Sequence, residues 1–446
     1  MNSSRRAVLT EGAISPLLIR LTLPMIIGML SMTIFNLVDT FYIGHLGKDE
    51  LAAMSFTFPV VMVINSLSVG LGMGAASVIS RAIGRGDTYT TKRTASDALL
   101  LALCIVCPIV VIGEFTINPL FTLLGADSTL LPMIREYMRI WYIGAVFVVV
   151  PMTGNNIIRA TGDMKTPGII MSVSAGINIL LDPFLIFGLW IFPQMGIAGA
   201  ALATVLARAF SMFFSLAIII FRENLLTLQF PKPRDIFKSW GKILFVGVPA
   251  AMTNLITPLS MGFITRLVAG YGNSAVAGFG VATRLEMLVI MLINALGSVL
   301  IPFSGQNLGA GKKERIAKAL SLSYIFCALW SGVIFIVFFF LGRPIAGLFN
   351  DHPEVVGTAA LYMAIVSLSY SGQGIVLTTA ASLNGMNKPL HSTTIALIRL
   401  FVLYVPLAYL GSRLFELKGI FGAAFIANIL SAGIAFLFIR KQVKFR

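Results

Sequence analysis

Three of the chain's 18 acidic residues, Asp39, Asp182 and Glu286, fall well inside long apolar runs. An ionisable group in hydrocarbon costs about 3 kcal/mol on insertion scales, so each needs a partner or a task. Asp182 ends a series, Ser174, Asn178, Asp182, at four-residue steps, which forms one polar stripe on a helix. Asn36 and Asp39 share a helix face in the same way. Pro183 follows Asp182; it lacks an N–H and frees the carbonyl of Ile179, giving both a bend and a spare oxygen ligand. Two carboxylates sharing a low-dielectric site do not both ionise cheaply: one holds a proton, or both share a cation. That is the chemistry of a proton- or sodium-coupled carrier. The competing reading, a hydrogen-bond network that only holds helices together, is disfavoured because a neutral asparagine would serve equally well there.

The surroundings of these residues follow from composition. Of 446 residues, 57% are apolar and only 11% charged, and the mean hydropathy is +0.91. A soluble domain carries roughly 25% charged residues, so a soluble globular enzyme and a disordered chain are both excluded. A crossing takes about 20 apolar residues. Twelve runs of that length are expected, near 16–44, 51–81, 95–118, 133–160, 167–188, 196–220, 241–269, 275–303, 317–341, 354–383, 389–411 and 419–439. The formal charge is +15. In a soluble protein this excess would suggest nucleic acid; here its placement reports orientation. Most Lys and Arg fall at the two ends and in the loops 81–95, 159–166, 221–242, 311–318 and 384–391. The opposite loops hold only Lys48, Arg135, Arg139, Arg343, Arg413 and Lys418. Both ends are therefore expected to be cytoplasmic.

The longest polar stretch, 221–240, carries Pro231-Lys232-Pro233-Arg234 and divides the chain into comparable halves. The expected organisation is a cytoplasmic segment 1–15, an N-lobe 16–220, the linker 221–240, a C-lobe 241–439 and a cytoplasmic tail 440–446. The halves resemble each other. A shift of 225 aligns Pro24 with Pro249, Thr40 with Thr265, Gly47 with Gly272, Gly72 with Gly297, and Gly84-x-Gly86 with Gly309-x-Gly311. A shift of 223 aligns Gly196-Ile197-x-Gly199 with Gly419-Ile420-x-Gly422. Six spans per half make the repeat parallel, as in alternating-access transporters. The expected fold class is thus an all-α polytopic membrane protein of two six-helix lobes.

Other patterns carry less. Cys104, Cys107 and Cys327 lie in apolar runs, far in sequence from His45, His352 and His391, and read as packing residues rather than zinc ligands or disulfides. Ser4-Arg5-Arg6 faintly resembles a twin-arginine signal, but no clean apolar region or cleavage site follows. Gly70-x-Gly72-x-Gly74 has no strand before it, so close helix contact is expected instead of a phosphate cradle. No Walker motif is present, so ATP is not the expected energy source, and no cofactor is expected. Glu286 has Arg284 two residues away, and so on a different helix face, with Arg266 and Arg399 as further cations within its reach; it reads as a structural or C-lobe ion pair, with Arg284 as one candidate.

Depth groups the polar residues. At 1.5 Å per residue, Asp39 and Asp182 lie roughly 8 and 9 Å below the outer ends of spans 1 and 5, and Thr204 roughly 12 Å below the start of span 6. Three helices of one lobe thus bring polar groups to a common level.

In their order and spacing, Asn36-Leu37-Val38-Asp39-Thr40 closing on Ile43-Gly44-His45-Leu46-Gly47, the Arg159-Ala160-Thr161-Gly162-Asp163 loop, Gly176-Ile177-Asn178 through Leu181-Asp182-Pro183, and Gly196 through Thr204 resemble the MATE (multidrug and toxic compound extrusion) family. The resemblance covers nearly the whole chain. It implies an efflux antiporter for cationic or amphiphilic compounds, driven by inward H+ or Na+. It implies coupling through Asp39, Asn155, Asn178, Asp182 and Thr204, with Na+, if used, at Asp39, Asn178, Asp182 and Thr204. A straight span 4 places Asn155 about 10 Å further inward than the others. The family's other branch couples through acids in spans 7 and 10. Here span 7 has none, and span 10 has only Glu354 at its outer edge, which favours N-lobe coupling.

The expected mechanism has the ion neutralise Asp39 and Asp182, after which span 1 shifts or bends at Pro24, with Pro183 as a second hinge. Expected partners are small amphiphilic or cationic substrates and the lipid bilayer; nucleic acid is not expected, and the monomer is the expected functional unit. The expected location is a bacterial inner membrane. The alternative is a flippase for lipid-linked saccharides, disfavoured by twelve spans and few intramembrane arginines. A membrane-embedded enzyme lacks a catalytic set at one depth, and a channel lacks rings of charge.

Overall fold

The computed structural model describes residues 8–227 and 233–443. Ser4-Arg5-Arg6 and Pro231-Lys232 lie outside the described residues. Every regular element among the described residues is helical. The elements are α1 (Ile14–Leu46), α2 (Lys48–Gly84), α3 (Thr88–Leu123), α4 (Leu131–Gly144), α5 (Val146–Ala160), α6 (Lys165–Phe187) and α7 (Gly196–Ala217), the last ending in a π turn over Ile218–Arg222. After the linker come α8 (Pro233–Ala269), α9 (Asn273–Gly309), α10 (Lys313–Gly347), α11 (Pro353–Val366), α12 (Tyr370–Gly385), α13 (Pro389–Leu397) and α14 (Val405–Arg440). By length and apolarity ten helical stretches suit a membrane crossing, and eleven if α4 and α5 form one bent span.

The repeat read from the sequence recurs in the elements. α2 and α9 are both 37 residues long, and their ends differ by the same 225 positions. Each starts after a glycine, Gly47 or Gly272, and each is followed by a left-handed glycine, Gly86 (φ +74°) or Gly311 (φ +75°). An L side chain at those two φ values is strained, so the Gly-x-Gly spacing is a turn requirement. The next helix of the first half starts on an Asp87 cap, whose carboxylate accepts from the Thr90 N–H at 2.9 Å.

The fourth span of each half is broken. Between α4 and α5 the axis bends by 41° at Ala145, where tight bonds Ala145 N–H to Tyr142 O (2.9 Å) and Val148 N–H to Ala145 O (3.0 Å) replace regular helical pairing. Pro151 removes a further donor just beyond the bend. Between α11 and α12 a 3-10 turn, Ser367–Ser369, interrupts the α-helical pairing within one continuous stretch, and the Ser331 hydroxyl donates to the carbonyls of Ser367 and Leu368 at 2.9 Å each. The run Pro389–Arg440 is interrupted by a π turn at Ile398–Tyr404 and by non-helical backbone at Phe415 and Glu416, where Glu416 takes φ +53°. Gly411 and Gly419 approach each other there so closely that a Cβ on either would strike the other's backbone.

The chain forms two compact units. The first takes in Leu21–Ala251; the second takes in Leu9–Arg20 and the chain from Met252 on. In the first, Gly70 and Gly74 of α2 lie against the carbonyls of Gly247 and Ile243, and Gly72 lies against the Asn156 side chain. The three glycines therefore permit close helix approach, as their spacing suggested. The polar loops are tied down: Trp240 Nε1 donates to Asp97 O at 3.0 Å, and Thr227 N–H to Ser96 Oγ at 3.0 Å. In the second unit, segment 9–12 is held by Gln306, Asn307, Lys312 and Arg315, whose guanidinium donates to Gly12 O (2.9 Å) and Glu11 O (3.0 Å).

Candidate functional site

The polar stripe of α6 faces α7. Ser174 Oγ donates to Ala207 O at 2.8 Å. One turn on, the Asn178 amide fits its neighbours in one orientation: its nitrogen donates to Asp182 Oδ2 at 3.0 Å, and its oxygen accepts from the Thr204 N–H at 3.1 Å and hydroxyl at 3.2 Å. Asn178 thus joins α6 to α7 and fixes one oxygen of Asp182. Gly199 is required for this packing, since a Cβ there would strike the Leu185 carbonyl.

Asp182 is fully buried, Asn178 nearly so, and Asp39 of α1 is 6% exposed. Asp39 and Asp182 lie within electrostatic reach of each other and of the Tyr137 hydroxyl on α4. One oxygen of each acid, Oδ1 in both, is buried without a hydrogen-bond partner. Buried polar atoms are nearly always paired, so two bare carboxylate oxygens in one cluster are unusual, and each is chemically able to take up a proton or a cation. Asp39 opens onto a cavity of about 610 Å3 whose walls include Asn36, Thr204, Tyr137, Trp141 and Arg208.

Four residues read from the sequence, Asp39, Asn178, Asp182 and Thr204, are therefore gathered in one unit. Asn155 is not among the residues lining the cavity; its Oδ1 is buried without a partner on α5. No group of three or more His, Cys, Asp or Glu able to hold a metal occurs among the described residues. Pro24 lies in an unbroken α1, where Gly168 of α6 packs against the Pro24 carbonyl. Pro183 is likewise carried within α6, which continues to Phe187 before the left-handed Gly188 (φ +70°).

The pairing of Glu286 with Arg284 is corrected. Arg284 is exposed and forms no ion pair among the described residues. Two residues apart on a helix point to different faces, so the pair cannot close. Glu286 instead accepts from Tyr362 Oη and from the Gln373 amide, with Arg399 as its nearest electrostatic partner. Tyr362 is held in turn by Phe279 and Phe421, with ring centroids 5.5 and 5.0 Å away.

Sequence reasoning did not bring Tyr137, Trp141 or Arg208 to the site. Tyr137 and Trp141 are one turn apart on α4, and Thr204 and Arg208 one turn apart on α7. That spacing was the available signal; which helix they face was not readable.

In the loop after α5, Asp163 accepts from Thr166 N–H at 3.0 Å and pairs with Arg222, which also donates to Thr166 Oγ1 at 2.9 Å. Burial works to raise the Asp163 carboxyl, but hydrogen bonds from Thr166 and Arg222 together with the Arg222 charge outweigh it and hold the group below the ordinary carboxylate range.

A repeated all-helical membrane protein with a polar cavity inside its first repeat has the construction of a multi-pass transporter. The family model MatE matches the chain twice, over residues 24–184 and 249–410, once in each repeat. The chain belongs to the MATE family. It is 39% identical over 435 residues to the FAD transporter of Shewanella oneidensis, covering 98% of this chain and 96% of that protein. It is 28% identical to the multidrug export protein MepA of Staphylococcus aureus, covering 94% and 92%. The Vibrio cholerae MATE transporter VcmN in its bent form superposes with a TM-score of 0.92 at 31% identity, covering 96% of both chains. These relatives are transporters from bacteria, and the chain is accordingly a multi-pass transporter of a bacterial inner membrane.

Proposed function

We propose that this chain is a secondary active antiporter that exports amphiphilic organic compounds in exchange for inward H+ or Na+, with coupling at Asp39 and Asp182. One observation carries the reading: two buried carboxylates of one unit, within electrostatic reach, each keep an oxygen without a partner. Two charges so placed repel, and binding one proton or one Na+ relieves the repulsion. Thr204 Oγ1 is a further oxygen for the Na+ alternative, and Asn178 joins it only by turning its amide oxygen from Thr204 toward the acids. Neutralising the pair removes the cost of burying it, which lets α1 shift or bend at Pro24 against Gly168 and expel the substrate. Asn155, which the family resemblance brings in, acts only if α1 and α5 move.

The break at Phe415–Glu416 divides the last long helix into two crossings. Counted that way, with α4–α5 as one bent span, the helices support the expected twelve crossings, six per repeat, with both ends of the chain cytoplasmic. A parallel repeat then relates the lobes, which alternate access to the cavity. The substrates expected from the sequence are cationic or amphiphilic drugs. The named substrate of the Shewanella relative adds a second candidate, an aromatic dinucleotide. The monomer, with no cofactor, is proposed as the working unit.

The test is efflux from proteoliposomes of ethidium and of FAD, driven separately by a proton gradient and by a sodium gradient. Transport under one gradient supports antiport and names the ion. No transport of either compound under either gradient contradicts the proposal.

A further inference from the structure

Arg208 stands at the middle of its span, twelve residues past the start of α7, about 18 Å along the axis. Among the described residues it forms no hydrogen bond and no ion pair. Its nitrogens are not sealed in protein; they border the same cavity as Asp39, Tyr137 and Trp141. Arg399, the other buried intramembrane arginine, differs: it faces Glu286 and reaches Asn428 Oδ1 at 3.5 Å. Arg266 and Arg284 are exposed on their helices. Arg208 alone among these four is an unpartnered guanidinium aimed into a cavity.

A permanent charge in that position is expensive unless something brings its counter-charge. Asp39 does not, since it shares the cavity without pairing with Arg208. A planar guanidinium with five donors matches the paired oxygens of a phosphate or carboxylate, which it binds two-pronged. The aromatic walls, Phe35, Tyr137 and Trp141, suit a flat ring system, and Asp39 suits a hydrogen-bond donor on that ring. The cavity is therefore bipolar, with an acid near one end and a base one to two turns deeper.

We propose that Arg208 anchors an anionic group of the substrate, so that the compounds this cavity selects carry a phosphate or carboxylate on an aromatic body. The proposal rests on the export reading above and narrows its substrate class. The donor of the substrate meets Asp39, its anion meets Arg208, and ion loading at Asp39 and Asp182 removes the first contact while leaving the second.

The experiment is equilibrium binding to the purified full chain in detergent, followed by quenching of flavin fluorescence. The probes are riboflavin, its phosphate FMN and carboxymethylflavin, which are neutral, phosphate-bearing and carboxylate-bearing on one aromatic body. The expected result is that FMN, carboxymethylflavin or both bind the wild type at least tenfold tighter than riboflavin. In Arg208→Gln that ratio falls toward one, and in Arg208→Lys part of it survives. Size-exclusion profile and melting midpoint establish that each variant is folded; should Arg208→Gln fail this check, Arg208→Lys and Arg208→Met carry the comparison. Equal binding of all three probes by the wild type, absence of binding by any of them, or an unchanged ratio in the folded variants overturns the proposal. No gradient enters this measurement, so failed antiport in proteoliposomes leaves its outcome readable, and a failed anion preference leaves antiport standing.

Discussion

Asn178 holds Asp182: one helical turn before it on α6, its amide nitrogen donates to Asp182 Oδ2 at 3.0 Å while its oxygen takes the Thr204 N–H and hydroxyl. The asparagine is thereby both a link between α6 and α7 and a donor that fixes one oxygen of the acid, leaving Oδ1 bare. Asn178→Ala removes the link and the donor together. Expected outcomes are a protein that folds but transports at least tenfold more slowly, because losing one oriented hydrogen bond to a charged partner is worth about 1.5–3 kcal/mol. Initial efflux rates together with the melting midpoint separate this loss from unfolding.

Glycine placement predicts stability. In α2, a Cβ on Gly74 would run into the Ile243 carbonyl, whereas Gly262 of α8 has open space around it. Gly74→Ala is expected to lose about 1–3 kcal/mol through overpacking despite alanine's better helix propensity. Gly262→Ala is expected to be neutral or to gain about 1 kcal/mol. Thermal unfolding of both variants in one detergent checks the contrast, and equal midpoints would remove the packing argument.

In the second unit, Glu286 accepts from Tyr362 and Gln373 and has no bare oxygen in the cluster. Glu286→Gln keeps a hydrogen-bond acceptor for the Tyr362 hydroxyl, so ion-driven efflux is expected within about threefold of wild type. Glu286→Leu leaves Tyr362 Oη unpaired and is expected to lower stability by about 1–3 kcal/mol. If Glu286→Gln abolishes coupling while remaining folded, the second unit shares the ion load.

The ion pair of Asp163 with Arg222 gives a pH signature. Its carboxyl is held below its unfolded value, about 3.9. The contact therefore contributes fully above that pH and is lost as pH falls through the lower folded value. Asp163→Asn is expected to lower the melting midpoint by about 3 °C between pH 5 and 8, a modest effect because Arg222 is half exposed. The difference from wild type should shrink below about pH 4. A difference that instead grows on acidification would contradict the assignment.

The legible parts of this protein were those encoded locally. Ser174, Asn178 and Asp182 announce one helix face by spacing alone, and Gly84-x-Gly86 with Gly309-x-Gly311 mark turns that only glycine tolerates. The site's other wall was not legible, because Tyr137, Trp141 and Arg208 reach the cavity through the packing of α4 against α7, a tertiary fact with no local pattern. The break at Ala145 escaped for a related reason: apolar length continues through it, and hydropathy does not report a bend. Spacing alone put Arg284 on another face from Glu286; that Arg399 rather than Arg266 stands near Glu286 is a tertiary fact spacing does not carry. The turn near Glu416 was marked by sequence only as a gap between two apolar runs; its tightness comes from Gly411 meeting Gly419.

The most direct test of ion coupling compares wild type with Asp39→Asn in proteoliposomes carrying the driving gradient that works for the wild type, with substrate exchange measured in the absence of any gradient as a second readout. The asparagine keeps the shape and polarity of Asp39 but cannot carry the charge that the ion neutralises. Gradient-driven efflux is expected to disappear in a folded Asp39→Asn protein, with Asp182→Asn behaving alike. Full gradient-driven efflux by Asp39→Asn would contradict coupling at Asp39.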